Sequence, residues 1–464
     1  MTVKVFMQIR QVVVLADESS EVNDFLRDLE QRGLEILRSN ATEILGEVAS
    51  TEGSRLGGPD RLILCDQNFD SMPFGSAIVR EAVNNGCGIL IGSDRFGWVL
   101  EEMTAGGALS EETRSELASE AIFRCISKEA EKLRAHQGES PRYLVQTYEK
   151  VQDLRYGENW HQKASLYQKH DRLGLHRAPK LCGKEMSYNN VVDAEATLEM
   201  LIDLMEYDGA KEDRNLAVIV KHANPCGVAY GHNKVEAYKG ALATDPKSAF
   251  GGVIGLSEPV DADLAEAMRD HFIEVLLAPG YDPEALKILS EKPNRRILDV
   301  SELLVGRDRL YEGRLSKSVF GGLLVQDYDT GDIKEWKVVT ERGPTPSETM
   351  ALRFAWKVTK YVKSNALVYA TANQIIGIGS GQVSRVDSAR FGAEKAEEHG
   401  LDTKGTVAAT DSFFPFRDGL DQTHEAGATA VVHPGGSIRD AEVIEAANEH
   451  GMAMVFTGMR HFRH

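Results

Sequence analysis

The chain has 464 residues, 42% hydrophobic and 27% charged; it is too long for one hydrophobic core and too apolar for disorder, which leaves two or three α/β domains. Its formal net charge of −18 repels nucleic acid and anionic membranes, so an anionic ligand has to meet a local cluster of Arg and Lys. Five separated cysteines without a C-x-x-C pair, no run of about 18 apolar residues and no leader pattern at the start point to a reduced, cytoplasmic, untargeted protein.

From the N-terminus, QVVVL (11–15), EVNDFLRDLEQRG (21–33), LEIL (34–37), DRLILC (60–65), SAIVREAVNNG (76–86) and GILIG (88–92) alternate strand-like and helix-like periodicity. That pattern predicts a parallel sheet flanked by helices. The stretch 110–135 predicts a long helix, with Ser110 as N-cap and Glu111 and Glu112 in its first turn. It ends in HQGESPRY, a polar break that marks the main domain boundary. Beyond it, LAVIVKHANPCG (216–227) reads as a buried strand followed by polar residues, with Asn224 to Gly227 supplying the turn. Strand ends are where open α/β sheets keep their chemistry. The segment 282–350 has mixed polarity and no clear period. GATAVVHPGGSIRDAEVIEAANEHG (427–451) and MAMVFTGMRHFRH (452–464) read as strand, loop, helix and strand, and no tandem repeat is visible.

Four runs carry candidate chemistry. Lys221 and His222 directly follow the buried strand. Like-charge repulsion from an adjacent lysine disfavours the imidazolium, so the pair offers a base beside a cation; alone, it fits an exposed loop better. Arg155 and Tyr156 stand in LRYGENWHQKASLY (154–167) with Glu158, Asn159, His161 and Gln162, a set suited to an anion or heterocycle. GIGSGQVSRVDSAR (377–390) has the outline of a phosphate-cradling loop, strand then glycines then helix. Its ribose-binding acid would be Glu397 or Glu398, a weak pairing, and Arg385 is the more informative residue. In TDSFFPFRDG (410–419), Phe413 lies between Asp411 and Asp418, an arrangement suited to a flat ligand bearing N–H donors, while Phe414 and Phe416 read better as core.

Taken together these runs resemble AICAR transformylase, the C-terminal part of the bifunctional purine biosynthesis enzymes that also carry IMP cyclohydrolase. The similarity extends from about Arg142 to His464. It includes GKEMSYNNVVDAEA (183–196), VIVKHANPCGVA (218–229), DPKSAFGGVIGL (245–256), KSNALVYA (363–370) and HPGGSIRD with VFTGMRHFRH, besides the runs above. The resemblance implies transfer of the formyl group of 10-formyltetrahydrofolate to the 5-amino group of AICAR, giving FAICAR and tetrahydrofolate. It implies that Arg155, Tyr156, His222, Gly251, Glu274, Asn365 and Arg460 hold the ribonucleotide, and that Arg385, Val386, Phe413, Asp418, Ser437 and Ile438 line the folate. The 5-amino lone pair is delocalised into the ring, so its proton has to leave as it attacks. His222 is then the general base, Lys221 and Asn365 serve the developing oxyanion and the departing N10, and His464 orients the amine or the histidine pair. Trp160 stands where the family usually has proline. The resemblance further implies a homodimer with shared active sites, no redox or organic cofactor, and a structural potassium ion.

The first 136 residues resemble IMP cyclohydrolase in outline only. RSNATE (38–43) replaces the phosphate-loop glycines, a Lys-Thr-Leu-His-Pro block is missing, and Asn84 stands where the family has a catalytic lysine, although Asp94 keeps an acid. An amide neither transfers a lysine's proton nor binds phosphate as a cation does. The expected organisation is α/β throughout: a methylglyoxal-synthase-like domain (1–136) without cyclohydrolase activity, then two cytidine-deaminase-like α/β/α subdomains (137–335 and 336–464). A separate cyclohydrolase would close the ring. The competing expectations are a bifunctional chain that closes the ring with substituted residues, and a nucleotide sensor without turnover.

Overall fold

Alternation along the first strands decides how the N-terminal part folds. Val12, Val14, Leu62 and Leu64 join one buried cluster, while Val13, Leu15, Ile63 and Cys65 join another, because successive strand side chains point to opposite faces of a sheet. Four parallel strands result, in the order Glu35–Arg38, Gln11–Leu15, Arg61–Cys65, Gly88–Ile91. Parallel neighbours need crossovers, and helices Ser20–Gln31 and Gly75–Asn84 provide two of them. Helix Glu111–Ala135 starts as expected, the Ser110 hydroxyl accepting the Thr113 N–H at 3.1 Å. This computed structural model describes residues 6–16, 19–39, 58–65, 69, 75–103, 107–138, 141–169, 172–207 and 214–464; apart from Arg38 and Ser39, the RSNATE stretch lies outside the described residues.

The chain divides into two compact units, Met1–Glu149 and Lys150–His464. The second unit holds two six-stranded sheets built to one plan. The first runs Asn224–Gly231, Asn215–Lys221, Gly252–Leu256, Ile273–Ala278, Arg296–Asp299, Lys180–Cys182; the second runs Ile375–Gly379, Leu367–Ala370, Val407–Thr410, Ala430–His433, Ala453–Phe456, Lys337–Val338. In each, the strand laid down first becomes an antiparallel edge, a hairpin forms the other edge, and three parallel strands lie between. The unit is thus a topological duplicate. Equivalent helices, Tyr188–Met205 and Pro346–Thr359, follow the two first strands, and each opens with a capping box. Their apolar faces meet in one core that takes residues from both sheets, among them Val218, Val253, Leu352, Trp356, Val368 and Val432.

Three sequence readings change here. Asn224 to Gly227 are not a turn: they open the edge strand Asn224–Gly231, and the turn is His222–Ala223. Pro225 is tolerated because it sits on that edge, beside a register shift at Ile219/Val220. Gly377 and Gly379 serve packing, since a Cβ on Gly379 would stand 1.8 Å from the carbonyl oxygen of Ser388 in helix Arg385–Glu398, whereas Gly381 supplies left-handed backbone at φ 66°. Gly227 is the counterpart in the other sheet, with Ala241 O at 1.9 Å from such a Cβ. The illegible stretch 282–350 contains a hairpin, Leu315–Val319 with Gly322–Gln326, whose residues are all exposed.

Candidate active site

Lys221 closes a central strand, and the two residues after it, His222 and Ala223, have left-handed backbone at φ 53° and 54°. Residues with a Cβ keep that conformation only where their surroundings enforce it. Here Asp193, on helix Tyr188–Met205, accepts the Ala223 N–H at 2.7 Å together with the His222 N–H. Burial pushes the Asp193 carboxyl up and those two bonds draw it part of the way back. His222 is thereby held exposed at a cavity of about 300 Å³ that Lys221, Asn224, Ser380, Gln382 and Lys395 also line. Lys221 Nζ donates to Gly251 O at 2.5 Å and to Phe250 O at 3.4 Å. Gly251 has φ 68°, and a Cβ there would lie 3.2 Å from the ammonium, so only glycine suits both the backbone and the clearance. On the same cavity, Asp245 accepts the Ser248 N–H and hydroxyl at 2.9 and 2.7 Å, with Lys395 and His399 close by. Burial opposes it, yet these partners hold the Asp245 carboxyl below its usual range.

A second cluster gathers around Asp411, which is fully buried. Asp411 accepts from the Arg385 guanidinium, the Ser364 hydroxyl and the Ala366 N–H. Arg385 Nη2 also donates to Asn365 Oδ1 at 3.1 Å, and Asn365 Nδ2 donates to Gln382 O at 2.9 Å. Gln382 belongs to the cavity lining, and the Lys363 N–H donates to Asn224 Oδ1 at 3.0 Å. The segment that carries Asn365 is therefore tied, through Lys363, to the hairpin that bears His222. Two expectations shift: Asp411 is an internal partner instead of a ligand contact, and Arg385, 6% exposed, turns its guanidinium inward to Asp411 and Asn365.

Around the first turns of helix Tyr188–Met205 gather Tyr156 and Glu274, two of the positions that the resemblance assigns to the ribonucleotide. Arg155 lies over the Tyr156 ring at 4.7 Å and donates to its hydroxyl at 3.2 Å. Tyr156 O accepts the Tyr188 N–H at 3.4 Å, and Asn189 donates to Glu158 O at 3.1 Å. Glu274 accepts from Arg296 at 2.7 Å and from Asn190 at 3.4 Å. Gln162 closes the 155–162 loop by accepting from Asn159, and Trp160 is 88% exposed. The C-terminal RHFRH is strapped down: Ser364 N–H donates to Arg463 O at 3.0 Å, Arg463 reaches Glu199 at 2.8 Å, and His461 reaches Asp329 at 2.7 Å. Arg460 and His464 both lean on the Phe462 ring.

The folate positions are more dispersed. Val386 and Phe413 are half-buried, Asp418 accepts the Gly419 N–H, and Ser437 and the fully exposed Ile438 sit in a loop closed by Asp440. Among the described residues no hydrogen bond joins these five to the His222 cavity. Phe414 is core, as expected, but Phe416 is 49% exposed beneath Arg439. Asp193, Asp245 and Gln382 were not singled out from the sequence, where nothing separates them from ordinary polar surface.

The family described as AICARFT/IMPCHase bienzyme matches residues 85–395. The chain belongs to this family. Relatives named Bifunctional purine biosynthesis protein PurH are similar over most of its length. The protein of Myxococcus xanthus (strain DK1622) is 44% identical over 401 residues, covering 84% of this chain and 76% of the relative. That of Persephonella marina (strain DSM 14350 / EX-H1) is 42% identical over 454 residues, covering 95% and 84%. That of Rhodospirillum rubrum is 46% identical over 418 residues, covering 86% and 77%.

In this AICARFT/IMPCHase chain the first unit sets apart the two positions that the resemblance marks for a cyclohydrolase. Asn84 ends helix Gly75–Asn84, before strand Gly88–Ile91 begins, whereas Asp94 follows that strand, so they stand at opposite ends of the sheet. Asn84 borders a mostly apolar cleft of about 630 Å³ with Val79, Val83, Ile122 and Leu133. Among the described residues no helix is long and apolar enough to cross a membrane.

Proposed function

We propose that this chain transfers the formyl group of 10-formyltetrahydrofolate to the 5-amino group of AICAR, releasing FAICAR and tetrahydrofolate. The observation that carries the reading is His222, held out at the cavity by Asp193 and flanked by a fixed ammonium. His222 takes the proton from the 5-amino group as that nitrogen attacks the formyl carbon. The carbonyl oxygen gains negative charge in the tetrahedral intermediate. An ammonium has three N–H groups and a carboxamide two; Lys221 directs two toward the carbonyls of Phe250 and Gly251, and Asn365 directs one to Gln382. One donor remains on each to stabilise the oxyanion or the departing N10; as the intermediate collapses and the C–N10 bond breaks, the proton held by His222 passes to N10, which leaves as the amine of tetrahydrofolate. Arg155, Tyr156, Gly251, Glu274 and Arg460 hold the ribonucleotide, and His464 orients its amine. Val386, Phe413, Asp418, Ser437 and Ile438 line the folate, with Arg385 fixing Asn365 from below.

The first unit we read as a methylglyoxal-synthase-like scaffold without cyclohydrolase activity, since an amide at an apolar cleft offers neither charge nor proton. The two sheets of the second unit fit cytidine-deaminase-like subdomains, 137–335 and 336–464, in a cytoplasmic homodimer with shared sites. No step uses the structural potassium ion implied by the resemblance, which would draw on carbonyl and hydroxyl oxygens; among the described residues no three His, Cys, Asp or Glu side chains converge.

Product analysis tests both halves. With AICAR and 10-formyltetrahydrofolate, wild-type protein should yield FAICAR and tetrahydrofolate, and His222→Ala or Lys221→Ala should lose about a hundredfold in rate or more. Undiminished turnover by either variant overturns the mechanism, and absence of tetrahydrofolate with wild type overturns the activity. FAICAR supplied alone should stay unchanged; measurable IMP would restore the bifunctional reading.

A further inference from the structure

The turn that receives the Lys221 ammonium, 249–251, is itself held from behind. His271 Nε2 lies 3.1 Å from Ala249 O, and Phe272 O accepts the Gly251 N–H at 2.7 Å. A carbonyl oxygen only accepts, so Nε2 carries the ring proton. The hydroxyl of Tyr238, on helix Lys234–Thr244, stands 2.9 Å from Nδ1. Burial pushes that hydroxyl up to about 12. Burial, helped by the Arg295 charge, also pushes the His271 imidazole below its usual range. The ring is therefore neutral near pH 7, donating to Ala249 through one nitrogen and accepting from Tyr238 through the other. Arg295 closes the turn on which His271 stands. It is 2% exposed, and its Nη2 donates to the carbonyls of His271, Met268 and Arg269 at 2.8, 3.2 and 3.5 Å. Among the described residues its Nε and Nη1 are buried without a hydrogen-bond partner, a costly place for a charge, and the bonds it does make all go to this turn.

We propose that His271 is a positioning residue for formyl transfer: it fixes the carbonyls of Phe250 and Gly251 so that the Lys221 ammonium keeps its third N–H on the developing oxyanion. The two bonds from residues 271 and 272 flank Phe250 on either side, and Gly251 O follows directly. The Phe250 and Phe272 rings, with centroids 5.1 Å apart, close the same gap. The carbonyls that Lys221 uses therefore move only if the 268–272 turn moves, and Arg295 and Tyr238 hold that turn and its imidazole in place. This role rests on the formyl transfer proposed above. It adds a residue that acts only through Lys221.

Steady-state kinetics with AICAR and 10-formyltetrahydrofolate test it. His271→Gln keeps an N–H at the Nε2 position, whereas the shorter side chain of His271→Asn reaches Tyr238 but not Ala249. His271→Asn should lower kcat about tenfold or more, as displacing a catalytic group by about an ångström does. Its KM for AICAR should stay within about twofold of wild type, and His271→Gln should recover most of the lost rate. In a Lys221→Ala background, His271→Asn should cost nothing further in kcat, because the group it positions is gone. Full kcat in His271→Asn overturns the role. So do equal losses in the Asn and Gln variants, which a merely structural ring would give, and a loss that multiplies with that of Lys221→Ala. If His271→Asn does not fold, Tyr238→Phe, which frees Nδ1, takes its place: kcat should fall with Lys221 present and hold with Lys221→Ala, and any other pair of results overturns the role. A wild type that forms no tetrahydrofolate overturns the transfer itself, and this role with it.

Discussion

Asp411 never meets solvent, yet it fixes two side chains that the proposed reaction draws on. Its carboxylate holds Arg385 and the Ser364–Ala366 backbone, and Arg385 in turn holds the Asn365 amide. Removing one partner of a buried ion pair leaves the other charge uncompensated. Asp411→Asn should therefore lose about 3 kcal/mol of stability and at least about tenfold in kcat. Lost stability with full activity would show that Asn365 does not depend on this pair. His433 is another buried group with a readable consequence. Burial, helped by the Arg385 charge, pushes its imidazole down to about 3. The folded protein keeps the ring neutral, while the unfolded chain protonates it below about 6.5. Its contribution is complete above that pH and is lost as pH falls toward 3, at up to about 1.4 kcal/mol per pH unit. Urea unfolding across that window should show a shallower slope for His433→Gln; equal slopes would mean that the ring titrates normally. Lys221 and His222 were legible in the sequence because they end an apolar run. Asp193 and Asp411 were not, because a single carboxylate carries no mark of which backbone it will hold.

At the level of elements, the hairpins and their covering helices set the geometry of the site. The strand that returns from His222 carries Gly227, and its counterpart in the second sheet carries Gly379; both pass so close to a helix backbone that no Cβ fits. The obstructing atoms are main-chain carbonyl oxygens, so no side-chain rotation relieves the clash. Gly379→Ala and Gly227→Ala should each destabilise by about 3 kcal/mol or more, measured by denaturant titration. A loss under about 1 kcal/mol would mean that the helices can shift. This packing role is why the glycine run looked like a phosphate loop: both need backbone approaching closely, and spacing alone does not say what approaches. The strands and helices on either side were legible from period and capping. The turn at His222–Ala223 was not, since neither residue favours left-handed backbone and the cause, Asp193, lies 30 residues away on another element. Asp193→Ala should accordingly lower kcat with little change in the folate KM, whereas Asp193→Asn, which keeps an acceptor, should recover part of it; equal losses in both would deny the turn its role.

Across the whole molecule, hydrophobic burial is divided. Among the described residues, the clusters around Val12 and Val13 draw on residues before 126, and the three other clusters draw on residues after 172. Cooperativity follows shared burial, so a chain whose cores have no members in common need not unfold in one step. The second unit should behave differently inside itself, because its largest core takes residues from both sheets and from both capped helices. Its two topological copies are joined through that core and should melt together, although the sequence shows no repeat to suggest that they share a plan. Calorimetry should then resolve two transitions, one for Met1–Glu149 and one for Lys150–His464, and AICAR should raise only the second, since every residue assigned to the ribonucleotide lies beyond Lys150. A single transition with equal calorimetric and van't Hoff enthalpies would mean that the units unfold as one. A ligand shift confined to the first transition would move the ribonucleotide site into the unit where Asn84 stands.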